Sequence, residues 1–162
     1  MKTLIILRHG KAEPYDAKPD DFDRVLAERG KRNAGDMGQL ILKKFGVPEL
    51  ILASAAARAS ETASLAAVAL GYPAERIQTD VNLYLVSAGR MLKTLCRLSN
   101  EINSCLLVGH NPGLTDLINL LNVRIDNLPT GSAACFNFKT DLGSEISAGN
   151  ARFQWLQLAR EL

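Results

Sequence analysis

The sequence predicts an α/β fold: a single-domain, three-layer α/β/α sandwich in which helices cover both faces of a mostly parallel mixed sheet. Two observations lead to this prediction. Three apolar runs of four residues suit strands buried on both faces, and they alternate with segments whose apolar residues recur at helical spacing. The length of 162 residues fits one domain, residues 1–162, with its own core. Such alternation is typical of βαβ units.

The first half of the chain alternates strands with helices. The apolar runs at residues 4–7 and 50–53 predict the first two strands. Between them, apolar residues at helical spacing predict a helix over residues 27–45, which Gly46 and Pro48 end. Before this helix, the Pro- and Asp-rich residues 11–23 predict a surface loop near a functional site. An Ala-rich helix is expected to follow the second strand as far as about residue 70.

The second half continues the pattern until its last two strands. Residues 77–85 predict a short strand or extended loop, residues 91–98 a helix, residues 105–109 a third buried strand and residues 114–121 a helix. Residues 134–139 and 152–158 predict two strands joined through the Gly- and Ser-rich residues 141–150 as a hairpin. The last strand alternates imperfectly, which is typical of a sheet edge. This antiparallel pair predicts a mixed sheet.

Net charge, the first apolar run and the cysteines bear on the partners and the compartment of the protein. The formal net charge of +2 is too small to indicate nucleic acid or a membrane surface as a partner. The first apolar run has four residues, too few for a signal-peptide core or a membrane span, so a cytoplasmic location is expected. The three cysteines, Cys96, Cys105 and Cys135, have no metal or redox spacing, and their odd number predicts reduced, mostly buried thiols.

Two histidines and two arginines are the candidates for chemistry. His9 and His110 are the only histidines, and each directly follows a predicted buried strand. Open α/β sheets bind ligands at the carboxyl ends of their strands, so both histidines are expected to face one crevice. Arg8 directly follows the first strand, and Arg58 lies just after the second strand, at the turn before the Ala-rich helix. Gly10 is expected to let backbone and ligand approach closely.

These four residues predict a site for a phosphoryl group or another oxyanion. A guanidinium group can bind two phosphate oxygens at once, in a bidentate way. A neutral imidazole is a good nucleophile, and nearby arginines lower its pKa and so favour this neutral form. His9 would attack phosphorus while Arg8, Arg58 and His110 stabilise the oxygens, without a metal or cofactor. Two alternatives stay open. Both histidines could be structural, and Arg58 could form a surface ion pair with Glu61.

Four motifs resemble those of the histidine phosphatase superfamily. Arg8-His9-Gly10 resembles its nucleophile motif, and residues 27–30, Ala-Glu-Arg-Gly, resemble its Leu-Thr-Glu-Arg-Gly segment. Residues 53–63 resemble its Ser-Ser-Pro-x-x-Arg-Ala-x-Gln-Thr-Ala segment. Residues 108–113, Val-Gly-His-Asn-Pro-Gly, resemble its second-histidine motif. Together with the short length, they are similar to the small SixA-type phosphohistidine phosphatases.

The resemblance implies specific roles. His9 would be the nucleophile and would form a phosphohistidine intermediate, with Arg8, Arg58 and His110 in the phosphate pocket. Substrate-binding residues would include Gly10, Arg24, which stands where the family often has Arg-Pro-Leu, and Asn111 of the second-histidine motif. The partner would be a phosphohistidine-containing protein such as a histidine phosphotransfer domain. Val25, Ala55 and Glu61 depart from the family pattern, which affects details of the loops.

One departure bears on the substrate. Phosphoesterases and mutases of the superfamily use a Glu or Asp as general acid, and residues 82–86 hold no carboxylate at the corresponding stretch. An alkoxide leaving group needs a proton in the transition state, whereas the imidazole of a phosphohistidine leaves more easily. Asp20, Asp21 or Asp23 could supply an acid instead. A small-molecule phosphomonoesterase or mutase and a non-catalytic phosphate-binding module therefore remain as alternatives.

Overall fold

A computed structural model describes residues 1–14 and 20–162, so part of the predicted Pro- and Asp-rich loop, residues 15–19, lies outside the described residues. The described part forms six strands and four α-helices. The strands are β1 (Lys2–Arg8), β2 (Leu50–Ser54), β3 (Gln78–Asp80), β4 (Ser104–Gly109), β5 (Ala133–Phe138) and β6 (Ala151–Gln157). The helices are α1 (Glu28–Lys44), α2 (Ala57–Leu70), α3 (Ala88–Cys96) and α4 (Gly113–Leu120). None of these helices is long and apolar enough to cross a membrane.

The six strands form one mixed sheet in the order β3-β2-β4-β1-β5-β6. β1 to β4 run parallel to one another, whereas β5 is antiparallel to both of its neighbours, β1 and β6. This arrangement confirms the predicted mostly parallel mixed sheet, including the contribution of the C-terminal pair. β6 lies at an edge, and its side chains are exposed or half-buried, in agreement with its imperfect alternation.

Each face of the sheet has its own hydrophobic core. Leu4 and Ile6 of β1 belong to the core that α3 and α4 cover, whereas Ile5 and Leu7 belong to the core under α1 and α2. Successive side chains of a strand point to opposite faces, so a run apolar at every position is what a strand covered on both sides requires. The two cores confirm the predicted three-layer α/β/α sandwich.

The register of β1 on β4 determines what meets at the carboxyl edge of the sheet. Arg8 pairs with Gly109, and the backbone N–H of His9 donates to the Gly109 carbonyl over 3.1 Å. The residues that follow the two strands, His9 and His110, therefore lie side by side. β2 pairs with the other side of β4, so Ser54 at its end reaches the same edge.

Helices α1 and α2 approach closely at a glycine. Gly38 of α1 is buried, and a Cβ at this position would stand 2.8 Å from both the Ala66 carbonyl oxygen and the Ala69 Cβ of α2. Gly35, one turn earlier on α1, has nothing within 4 Å of its Cβ position. Glycine destabilises a helix interior relative to alanine. The contact with α2 is therefore the physical reason for a glycine at Gly38.

We expect Gly38→Ala to lower the free energy of unfolding by about 1 to 3 kcal/mol, because the added methyl group must push the two helices apart. The matched control, Gly35→Ala on the same helix, is expected to raise this free energy by about 0.5 to 1 kcal/mol. Urea denaturation followed by circular dichroism measures both values. Equal stabilisation by the two substitutions would contradict the close helix contact.

Candidate active site

The four residues predicted to act together lie at the carboxyl edge of the sheet. Arg8 ends β1 and His9 follows it, Arg58 lies in the first turn of α2, and His110 follows β4. The ring centroids of His9 and His110 are 5.2 Å apart. Arg58 Nε lies 3.3 Å from His9 Nε2. His9, Arg58 and His110 retain only 6%, 3% and 4% of their accessible surface. The site is therefore largely shielded from solvent.

His9 is held as a neutral imidazole with one unprotonated ring nitrogen. Its Nδ1 lies 2.7 Å from the Gly10 carbonyl oxygen, which can only accept a hydrogen bond, so the proton is on Nδ1. Nε2 thus carries a lone pair, to which the Nε–H of Arg58 donates. The pKa of His9 is lowered to about 4: burial is the largest cause, and the charges of Arg58 and Arg8 act in the same direction, against the opposing effect of the Gly10 bond. The predicted arginine effect has the right direction, but burial is the larger cause.

Arg58 is fixed by hydrogen bonds on both sides of its guanidinium group. Nη1 donates to the Asp21 carbonyl over 2.7 Å, and Nη2 donates to the Asp21 carboxylate over 3.1 Å. The alternative of a surface ion pair between Arg58 and Glu61 is wrong: Arg58 is buried, and the Glu61 carboxylate accepts the backbone N–H of Leu26 instead. The Arg58 carbonyl in turn accepts the Thr62 hydroxyl over 2.7 Å.

Arg8 brings a second guanidinium group to the same edge. Its Nη1 donates to the Leu128 carbonyl over 3.0 Å. Its Nε is buried and has no partner in the part of the chain that the structure describes. Burial lowers the pKa of Arg8, and the nearby Arg58 lowers it further. Two like charges held close together in this way favour an anion between them.

His110 is a second neutral imidazole, bonded to a serine. Its Nε2 lies 2.8 Å from Ser54 Oγ, and its ring meets the Tyr84 ring edge to face at 5.4 Å. The pKa of His110 is lowered to about 3: burial is the largest cause, and the neighbouring His9 and Arg58 act in the same direction. The other ring nitrogen, Nδ1, is buried without a partner among the described residues.

The sequence patterns did not point to Tyr84, which joins the site to Asp21. The Tyr84 hydroxyl donates to the Asp21 carboxylate, and Arg58 Cζ lies 5.9 Å from the centre of the Tyr84 ring. Asp21 also accepts Arg24 Nε over 3.0 Å. The bond from Tyr84 is the largest cause that lowers the pKa of Asp21, and Arg58 and Arg24 add to it. The carboxylate is thus ionised near neutral pH. The only sign of this role in the sequence is that residues 82–86, the stretch where a carboxylate is missing, contain a tyrosine.

Gly10 has a different neighbour from the one expected. A Cβ at Gly10 would stand 2.7 Å from the Gly30 carbonyl oxygen of α1, and the Gly10 N–H donates to the Thr62 hydroxyl over 3.0 Å. The approach of helix α1 therefore gives a structural reason for a glycine at this position, and the expected approach of a ligand to Gly10 stays a prediction.

Arg24 and Asn111 use their side chains within the protein. Arg24 donates to Asp21 and, through Nη1, to the Glu13 carbonyl over 3.1 Å, yet it is near enough to help lower the pKa of His9. The Asn111 amide donates to the Leu128 carbonyl over 3.0 Å and to the Asn127 side chain over 2.9 Å. Its oxygen accepts both the N–H and the hydroxyl of Thr115. Asn111 thus fixes the turn after His110.

The chemistry of these groups suits an oxyanion. Arg8 Nε and His110 Nδ1 are the two buried side-chain nitrogen or oxygen atoms that lack a partner within residues 1–14 and 20–162, and both lie at this edge. Buried polar groups normally have partners, and a tetrahedral anion would supply oxygen acceptors to both, provided that Nδ1 carries a proton. The same residues contain no group of three His, Cys, Asp or Glu side chains that could hold a metal ion.

Fold and site together define the class of this protein. Residues 4–93, more than half of the chain, match the family model of the histidine phosphatase superfamily (branch 1). The chain therefore belongs to the histidine phosphatase superfamily, which confirms the resemblance seen in the motifs. The matched range includes Arg8, His9 and Arg58, whereas His110 lies beyond it.

The chain is also similar to individual proteins. An uncharacterized chloroplastic protein of Arabidopsis thaliana is 28% identical over 141 residues, which cover 82% of this chain and 65% of that protein. An uncharacterized protein of Mycobacterium tuberculosis is 33% identical over 109 residues, or 65% of this chain and 63% of that protein. The chain thus spans just under two thirds of these relatives. The structure of the protein histidine phosphatase SixA complexed with tungstate has a TM-score of 0.83 and 23% identity, covers 98% of both chains, and shares the fold.

We expect the free energy of unfolding to fall as the pH is lowered from about 7 to about 5, by on the order of 2 kcal/mol for each histidine. The folded-state pKa values of His9 and His110, about 4 and about 3, lie below the ordinary value of 6.5. The unfolded chain therefore binds more protons in this range, so the stability that neutral imidazoles contribute is lost on acidification. Urea denaturation at several pH values measures the slope.

His110→Gln provides the comparison for this prediction. The variant removes one of the two imidazoles and leaves every carboxylate in place, so its stability should depend less steeply on pH than that of the wild type. Identical slopes in the two proteins would show that His110 titrates normally in the folded state.

Proposed function

We propose that this protein is a phosphatase that uses His9 as nucleophile and removes the phosphoryl group from a phosphorylated histidine of another protein. The observation that carries the proposal is the state of His9. Its bond to the Gly10 carbonyl fixes the proton on Nδ1, so Nε2 presents a lone pair in a pocket with Arg58 at 3.3 Å. A buried, neutral imidazole of this kind is a nucleophile ready to react near pH 7.

The reaction would proceed in two displacements. His9 Nε2 forms a bond to phosphorus while the phosphorus–nitrogen bond of the substrate breaks, and the substrate imidazole leaves with the electron pair and takes a proton from solvent. Water then attacks the phosphoryl-His9 intermediate, which releases inorganic phosphate and restores the neutral ring. Splitting the transfer into two steps is the general advantage of a covalent intermediate.

Arg8, Arg58 and His110 would stabilise the transferring group. Charge spreads over the equatorial oxygens of a phosphoryl group in the transition state, and fixed donors in a buried site stabilise it most effectively. The two guanidinium groups supply positive charge. The neutral His110 supplies an N–H to these oxygens. A charged imidazolium in its place would repel the positive charge that develops on His9 during the attack.

Asp21 supports the phosphohistidine substrate over an ester. It is the carboxylate bonded to Arg58, and Tyr84, Arg58 and Arg24 together lower its pKa. An ionised carboxylate has no proton to give, so it is a poor general acid for an alkoxide leaving group. An imidazole leaving group depends less on such an acid.

We infer a histidine phosphotransfer domain as the partner, and the cytoplasm as the location. The phosphohistidine of such a domain sits on a folded protein, which suits a reactive group placed at the edge of a sheet. Cys96, Cys105 and Cys135 are all free thiols, which suits a reducing compartment.

A second candidate function is hydrolysis of a small phosphate monoester. The observation in its favour is the same Asp21, since a carboxylate bonded to Arg58 lies where it could reach a leaving oxygen. If Asp21 is protonated in the enzyme–substrate complex, it could act as the general acid of a phosphomonoesterase or mutase. The two candidates therefore assign opposite protonation states to one residue.

One substitution separates the two candidates. The protein is incubated with a histidine-phosphorylated phosphotransfer domain and with p-nitrophenyl phosphate, as wild type and as Asp21→Asn. We expect faster turnover of the phosphohistidine by the wild type. We expect Asp21→Asn to change the two rates by a similar factor, because the altered contact with Arg58 affects both substrates alike and no proton transfer from Asp21 is lost. Inorganic phosphate release measures both reactions.

Asp23→Asn is the matched control, because Asp23 lies on the same short 3-10 helix, Asp21–Asp23, and is exposed. It should leave both rates unchanged. Faster turnover of the ester by the wild type, together with a loss of about a hundredfold in Asp21→Asn that is confined to the ester, would favour the monoesterase and overturn the phosphohistidine assignment.

A further inference from the structure

The Ser54 hydroxyl has contacts that determine which nitrogen of His110 carries the proton. Ser54 is the last residue of β2 and has no accessible surface. Its Oγ accepts the backbone N–H of Ala56 over 3.2 Å and lies 2.8 Å from His110 Nε2. Its Oγ makes no other hydrogen bond within residues 1–14 and 20–162. A serine hydroxyl has one hydrogen to donate, so the bond to His110 decides where that hydrogen goes.

Counting donors and acceptors favours one arrangement. If His110 donates from Nε2 to Ser54, the serine hydrogen has no acceptor among the described residues, and Nδ1 becomes a buried lone pair beside the oxyanion site. If Ser54 donates to Nε2, the serine hydrogen is satisfied and Nδ1 carries the ring proton. Of the hydrogens of this pair, only the Nδ1–H of His110 then lacks an acceptor, and an oxyanion can accept a hydrogen bond from it. Unsatisfied buried groups are costly, so the second arrangement is the more stable one.

Two further features of the site reinforce this choice. The Ala56 N–H occupies one lone pair of Ser54 Oγ, which helps orient the hydroxyl hydrogen towards His110. In addition, burial lowers the pKa of His110 to about 3, so the ring holds a single proton near neutral pH. A doubly protonated ring would donate from both nitrogens whatever its neighbour did. A neutral ring donates from only one, and its hydrogen-bond partner selects which.

We propose that Ser54 is a positioning residue that fixes His110 as the Nδ1–H tautomer, so that His110 can donate a hydrogen bond to the phosphoryl oxygens. The role in catalysis rests on the proposed function, whereas the tautomer itself is a property of the free protein. The proposal adds a requirement to the site: a residue that does not contact the substrate determines whether His110 attracts or repels it.

Nuclear magnetic resonance of the free protein measures the tautomer directly. The chain has two histidines, so 15N-histidine labelling gives four ring signals, and a His9→Gln sample assigns those of His110. We expect a protonated, pyrrole-type Nδ1 and a bare, pyridine-type Nε2 for His110 in the wild type. A protonated Nε2 with a bare Nδ1 would overturn the proposal, whatever the behaviour of any variant.

Ser54→Ala tests the consequence for anion binding. Without the serine donor, His110 should shift towards the Nε2–H tautomer, and the affinity for tungstate, measured by calorimetric titration, should fall by about tenfold, as for residues that orient a ligating histidine. The control is Ser104→Ala at the amino end of β4, since Ser104 is also buried and its hydroxyl also accepts one backbone N–H, that of Glu49. This variant should bind tungstate like the wild type.

Retention of both the Nδ1–H tautomer and the tungstate affinity in Ser54→Ala would overturn the role of Ser54. These measurements need no turnover, so they remain informative if the proposed function fails. An absence of phosphatase activity with the expected tautomer would reject the function and leave Ser54 in its role. Phosphatase activity together with an Nε2–H tautomer at His110 would support the function and reject the role of Ser54.

Discussion

The parallel pairing of β1 with β4 is the constraint on which the rest of the site depends. Because Arg8 lies opposite Gly109, the histidines that follow them leave the sheet at the same height and on the same edge. Their ring centroids come to 5.2 Å although the two residues are far apart in the chain. β2 pairs with β4 on the other side and brings Ser54 against His110. A one-residue change of register would turn one of these side chains to the opposite face.

Burial gives these residues the protonation states that the chemistry needs. Two imidazoles this close together could not both be charged without strong repulsion, and their lowered pKa values keep them neutral. The two arginines stay charged even when partly desolvated. The site therefore combines fixed positive charge with neutral, reactive nitrogen atoms. An anion entering it is attracted by Arg8 and Arg58, and the neutral His9 keeps a lone pair on Nε2 with which to attack.

The sheet, its mixed character and the four main site residues could be predicted from the sequence, because apolar periodicity and position at strand ends are local signals. Tyr84, Asp21 and Ser54 could not be assigned contacts in this way. Each takes part in the site through a side-chain hydrogen bond across many residues of sequence, and no spacing rule specifies such a bond. The contact of Gly10 with Gly30 could not be predicted either, because it depends on how closely helix α1 approaches the loop after β1.

The central claim is that His9 Nε2 receives the phosphoryl group, and rapid-quench trapping tests it most directly. Excess protein is mixed with a phosphotransfer domain carrying a radiolabelled phosphohistidine, quenched in alkali at short times, digested and analysed by mass spectrometry. The account predicts transient label on the peptide that contains His9, appearing before inorganic phosphate. Release of labelled phosphate without any protein-bound label on His9, at the same rate in His9→Asn, would contradict it.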